Sequence, residues 1–167
     1  ASGTVSRGGN SSFPVEVPVI RRSSDGGISW GEQIFPLGRP RPGDRWLPMQ
    51  QLYDTTLQTL LLTLGNGTTP IPRALTCESH GIIQLSSTDQ GLHWHDDGSI
   101  SAQLSGETTC LAPTGGVGLQ LREGSPWAGR LLWAMTQNAY QGDVVVWSDR
   151  GGRSYNHSDS LHIAGLD

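Results

Sequence analysis

A turn motif written twice in full and once in part limits what this chain can fold into. Ser87-Thr88-Asp89-Gln90-Gly91-Leu92-His93-Trp94 reads Ser-x-Asp-x-Gly-x-x-Trp and follows the apolar run Ile82-Ile83-Gln84-Leu85. The same spacing occurs at Ser23-Ser24-Asp25-Gly26-Gly27-Ile28-Ser29-Trp30, after Val15 to Ile20. It returns in degraded form at Ser148-Asp149-Arg150-Gly151-Gly152-Arg153-Ser154-Tyr155, after Val144-Val145-Val146-Trp147. The Ser positions lie 64 (87 − 23) and 61 (148 − 87) residues apart. Recurrence at a near-constant interval marks a repeat architecture.

The local chemistry of the motif is that of a hairpin tip. A β-branched run ends in Ser-x-Asp, whose short side chains bond nearby backbone N–H groups and close a turn. Gly27, Gly91 and Gly152 supply a backbone conformation open to few other residues. Trp30, Trp94 or Tyr155 then starts the return strand and covers the turn with an apolar ring.

Other segments fit the same plan. Residues 1–14 read as loop, Val15 to Arg22 as a strand in which Pro18 marks an edge or irregular position, and 36–48 as a proline-rich connection. Tyr53 to Leu64 carries two patterns. Leu57, Leu60, Leu61 and Leu64 fit a helical face, while the threonines and the Gly65-Asn66-Gly67 stop fit a strand, which the repeat favours from about Gln58. Strand, motif and return strand occupy roughly 79–103. Val117 to Leu121, Arg130 to Met135 and Asp143 to Trp147 are further strands. Three or four strands per interval is the count of a propeller blade, which cannot cover both its faces and stacks on neighbours.

Composition narrows the function. Glycine is 23 of 167 residues and proline 10, a turn-rich balance. The net charge of −4 and the lack of a basic cluster argue against nucleic acid and anionic membranes as partners. No apolar run approaches the ~18 residues of a membrane span. No signal peptide opens the sequence, so the chain either was never targeted or has lost that segment. Asn10, Asn66 and Asn156 stand in glycosylation sequons, which leans toward a secretory, lysosomal or extracellular setting over the cytoplasm. Cys77 and Cys110 are compatible with one disulfide or two thiols. His93-Trp94-His95 with Asp96-Asp97 reads as exposed polar positions rather than metal ligands, and no cofactor is expected. Thr114 to Gly118 leads into a strand-like run, not a helix, and does not read as a phosphate cradle.

The motifs resemble the "Asp box", or BNR repeat, of the sialidase (neuraminidase) superfamily. Ile20-Arg21-Arg22-Ser23-Ser24-Asp25-Gly26-Gly27 resembles the family's "LRRS-D-GG" approach to its first box. Glu107 followed by Pro113-Thr114-Gly115-Gly116-Val117-Gly118-Leu119-Gln120-Leu121 resembles the stretch in which a Glu precedes "GPG-GIQL". Gly129-Arg130-Leu131-Leu132 is similar to the "GRL" strand. The resemblance covers nearly the whole chain and is nearest the animal intracellular and lysosomal type.

The resemblance implies an all-β fold, a sialidase-type six-bladed propeller of which about three blades lie in residues 1–167, with boxes at 23–30, 87–94 and, degenerate, 148–155. It also implies removal of terminal sialic acid from glycans by a Tyr nucleophile, an acid/base Asp and three carboxylate-binding Arg. Sialidases depart in this way from the usual two-carboxylate scheme. Little of that set maps here. Arg7 falls at a substrate-contacting Arg and Glu107 at the pocket Glu. Ser12 stands where the acid/base Asp belongs, and a hydroxyl has no carboxyl-like pKa. Leu47-Pro48 replaces an Asn-Pro segment. The expectation is a fragment, one chain of a split protein or a truncated product, nearly inactive alone and open to completion by a companion chain. The alternative is a non-catalytic BNR-repeat module binding a glycan or a protein; a scaffold without a sugar site is the third reading.

Overall fold

A computed structural model describes residues 2–7, 15–42, 44, 46–66, 81–104, 111–137 and 142–159, with 2–7, 15, 16, 47, 48 and 66 at backbone level only. The described residues form strands β1 (Ser2–Arg7), β2 (Val15–Ile20), β3 (Trp46–Asp54), β4 (Thr59–Asn66), β5 (Ile82–Ser87) and β6 (His95–Ser99). A single helical turn, α1 (Ser101–Leu104), follows. Then come β7 (Leu111–Pro113), β8 (Gly116–Val117), β9 (Leu119–Gln120), β10 (Leu131–Gln137), β11 (Gly142–Ser148) and β12 (Asn156–His157).

These strands build three sheets in chain order. The middle sheet is an antiparallel meander, β3-β4-β5-β6. In the last sheet, β7 and β9 share the first position beside β10, and β11 and β12 follow. The first sheet pairs β1 with β2 and adds an Ile20–Ile34 bridge. In the two later sheets the motif joins the third strand to the fourth; in the first it joins β2 to the Ile34 bridge. β8, between β7 and β9 in the chain, joins the middle sheet in parallel with β3, with Gln50 opposite Gly116 and Gln51 opposite Val117. This is a partial β-propeller of three blades, without a closed ring.

Packing explains the stack. Along β10, Leu131, Trp133 and Met135 turn inward, and along β11 Val144 and Val146 do so, the period-two signature of a strand. With Leu52, Leu61, Ile82, Leu104 and Tyr155 they fill the space between the middle and last sheets. Leu62, Leu64 and Leu85 form the second core, with Ile20 of the first sheet. The middle blade is therefore covered on both faces, which is why β4 is apolar without alternation.

Two stretches expected as loop are strands. β1 is small and polar, and pairing with β2 orders it from Ser2↔Ile20 to Arg7↔Val15. β3 begins inside the 36–48 connection: the register with β4 shifts between Trp46 and Met49, where Pro48 sits, and a bulge tolerates a missing N–H. The leucines spaced for a helix are split by a turn at 55–58, with Gln58 at φ 52°. Pro18 lies within β2 at an unpaired face. The Ile20 N–H, two residues on, points away from β1 to Ile34, so the Pro18 nitrogen points the same way and breaks no pairing with β1.

Gly118 is a tight point between the middle and last sheets. A Cβ there meets Leu52 Cδ1 at 2.7 Å and the Leu132 carbonyl oxygen at 2.8 Å. Gly118→Ala is expected to lower unfolding stability by about 1–3 kcal/mol, measured by chemical denaturation.

Candidate functional site

The three motif tips share one hydrogen-bond geometry. The N–H four residues after the Ser donates to its hydroxyl each time: Gly27 to Ser23 at 2.7 Å, Gly91 to Ser87 at 2.8 Å and Gly152 to Ser148 at 2.9 Å. That Gly has φ 94°, 84° and 81°, and the residue before it, Gly26, Gln90 or Gly151, has φ 73°, 62° and 59°. Two successive left-handed residues favour glycine at the second.

The acid of the motif completes the turn. Ser23 Oγ donates to Asp25 at 2.7 Å, and Asp25 accepts from the Ser29 N–H at 2.9 Å and the Ser29 hydroxyl at 2.6 Å. Ser87 Oγ donates to Asp89 at 2.9 Å, and Asp89 accepts from the His93 N–H at 2.9 Å. Its other oxygen lies 2.6 Å from His93 Nδ1. These donors hold both carboxyls well below the usual carboxylate range, chiefly through the Ser29 hydroxyl at Asp25 and the His93 N–H at Asp89.

The third tip differs. Its acid stands one place early, and Asp149 instead takes a bidentate pair from Arg130, with Nε at 2.7 Å and Nη2 at 2.9 Å. Arg150 occupies the acid's place, and the turn is held by the Arg153 N–H on the Arg150 carbonyl at 3.2 Å.

The tips also join neighbouring sheets. Arg22 Nη2 donates to Gln90 at 3.3 Å, linking the first tip to the second. Gln84, on the middle sheet, donates to the Gly152 carbonyl at 3.1 Å and accepts from the Tyr155 hydroxyl. Trp94 packs on the core that holds Ile20, and Tyr155 tilts against Trp133 at 5.5 Å. Burial, reinforced by the charge of Asp97, pushes the Tyr155 phenol up. Trp30 remains 44% exposed.

Of the expected sugar-contacting residues, the backbone of Arg7 is described, at the other end of the strands. Ser2 pairs with Ile20, beside the first tip, so Arg7 closes β1 at the far end. Leu131 pairs with Ser148, so Gln137, and Leu111 opposite it, share that far end in the last sheet. Glu107, Ser12, Asn10, Cys77 and Cys110 lie outside the described residues, as does the side chain of Arg7. Asn66 ends β4, and Asn156 is exposed in β12. Leu47-Pro48 lies in β3.

Sequence reasoning passed over the tip face between the middle and last sheets. One groove there, of about 480 Å³, contains Gln84, Ser86, His95, Asp97, Gln103 and Arg153. Asp97 accepts from Gln84 at 2.8 Å and Ser86 at 2.9 Å, and His95 Nδ1 lies 2.9 Å away. His93 and His95 each turn to their own carboxylate. Among the described residues no three His, Cys, Asp or Glu side chains gather to hold a metal ion, and no helix is long and apolar enough to cross a membrane.

The architecture is that of the sialidases. A Hadza microbial sialidase, Hz136, superposes with a TM-score of 0.76 at 18% identity over 96% of this chain and 35% of that one. The intramolecular trans-sialidase of Ruminococcus gnavus, in complex with oseltamivir carboxylate, gives 0.69 at 12% identity over 90% of this chain and 55% of its own. The leech intramolecular trans-sialidase, complexed with 2,7-anhydro-Neu5Ac, gives 0.70 at 13% over 90% and 40%. This chain thus spans roughly a third to a half of each. No protein-family model and no curated protein matches the sequence.

Ser87 is buried while Ser23 is only half-buried. Ser87→Ala is expected to cost about 1–3 kcal/mol and Ser23→Ala less, because water replaces the lost partner there; denaturant unfolding checks both. The folded carboxyls of Asp25 and Asp89 are depressed, so their stabilisation is complete above the unfolded Asp value of about 3.9 and is lost as pH falls through the folded value. An NMR titration is expected to find both still ionised where an ordinary Asp is half protonated. Titration of Asp89 near the ordinary value contradicts the geometry.

Proposed function

We propose that this chain is part of an exo-α-sialidase-type propeller that engages terminal sialic acids of glycoproteins, gangliosides or oligosaccharides. Its three tips are read as Asp boxes, structural rather than sugar-binding. The sugar end is the opposite one, with Arg7 holding the carboxylate as a charged fork and Glu107 in the pocket. The observation that carries the reading is the likeness to Hz136 over 96% of the chain, together with three superimposable Ser–Gly turns. The sequons support a glycosylated, secretory-route protein, and the box sequences support the animal-type relationship.

Ser12 supports a second reading, a non-catalytic BNR-repeat module, because a hydroxyl cannot replace the acid/base carboxyl. We infer that this polypeptide by itself binds sialylated glycans without cleaving them. A fluorogenic sialoside assay and a glycan array on this polypeptide test this. No hydrolysis above the buffer rate is expected, with a preference for sialylated over asialo glycans that falls about tenfold or more in Arg7→Ala, as for a charge-assisted hydrogen bond. Clear hydrolysis overturns the Ser12 assignment; equal binding of sialylated and asialo glycans overturns the sugar reading.

A further inference from the structure

We propose that the tip face carries a second carbohydrate site, at the end opposite Arg7, that takes a neutral, hydroxyl-rich sugar ring. The site is a groove of about 680 Å³ whose walls include Asp54, Thr56, Leu57, Arg150, Arg153 and Ser154. That volume is within the range of small-molecule pockets. The groove lies between the 55–58 turn of the middle sheet, the 121–130 loop and the third tip.

Its chemistry centres on Asp54, which is only 2% exposed. Oδ1 is fully used: it accepts from the Thr56 N–H at 2.8 Å, the Leu57 N–H at 3.1 Å and Gln120 Nε2 at 2.9 Å. Oδ2 makes no hydrogen bond among the described residues. It faces Gly151, where a Cβ would stand 3.1 Å from it and 2.3 Å from Leu57 Cδ1. A hydroxyl entering the groove can donate to this oxygen. Gly151 keeps that approach clear.

Charge selects the ligand class. Asp54, Glu123 and Asp149 line the groove together with Arg150 and Arg153, and Arg130 neutralises Asp149. An anion there meets Asp54 and a cation meets the arginines. A sugar hydroxyl satisfies both, donating to a carboxylate while accepting from a guanidinium. Leu57 gives the ring an apolar wall. The third tip's departure from the motif acquires a purpose in this arrangement: Arg150 stands where the other tips have Asp25 and Asp89, and it points the tip's chemistry outward.

Saturation-transfer NMR on the full chain with lactose, N-acetyllactosamine and sialyllactose tests the proposal. Asp54→Asn keeps the Oδ1 acceptor and replaces only the free oxygen, and Arg150→Ala removes an exposed side chain that the fold does not need. Lactose or N-acetyllactosamine binding is expected, weakened about tenfold in Asp54→Asn and severalfold in Arg150→Ala, while Arg7→Ala leaves it unchanged. Sialyl-dependent binding is expected to show the reverse pattern, so the two sites fail independently. Absence of neutral-sugar binding by the parent chain overturns the proposal. So does unchanged binding in Arg150→Ala, whatever the folding of Asp54→Asn.

Discussion

Each blade depends on a hydroxyl that closes its outer turn. Ser23, Ser87 and Ser148 each accept the backbone N–H of the glycine four residues on. Two consecutive left-handed residues bring that N–H around. The chain then leaves the turn with its aromatic residue lying over the glycine: Trp30 and Trp94 come within 3.6 and 3.5 Å of a Cβ placed there. Without the hydroxyl, the glycine N–H loses its partner and the ring loses its direction.

The direction of the ring organises the stack. Trp94 reaches the core shared with Ile20, and Tyr155 reaches Gln84 and Trp133. The second and third tips are therefore each both the end of one sheet and a contact with the sheet before it. Buried polar groups reinforce the same seams. Gln50, 2% exposed, donates to Thr114 Oγ1 at 3.1 Å and to the Ala134 carbonyl, tying the first strand of the middle sheet to the last sheet. Such bonds fix the relative position of two sheets, which apolar contact alone leaves free to slide.

Much of this was legible in the sequence, for a physical reason. The tip is a local structure, built from eight consecutive residues, and its bonds are written in residue type and spacing. β5, β10 and β11 were legible because one of their faces alternates or runs apolar. β1 and β3 were not. β1 has no pattern of its own and takes its order from pairing with β2, and Gln50-Gln51 of β3 reads as polar surface until Thr114 and Ala134 are placed beside Gln50. The third tip was readable as degraded, yet the pairing of Asp149 with Arg130, 19 residues away, has no local signature. The candidate sugar residues were approached only by resemblance: Arg7 is placed by its strand, and Ser12 and Glu107 lie outside the described residues. The Asp54 groove was invisible in sequence because it is assembled from three separate turns.

Amide hydrogen exchange at Gly91 and Gly152 tests the central claim most directly. Both N–H groups lie in turns, where exchange is ordinarily fast, but here they are buried and bonded to a serine hydroxyl. The account predicts protection comparable with the amides of β5 and β11, lost at Gly91 alone in Ser87→Ala. Exchange of both glycines at open-loop rates in the parent protein would contradict it.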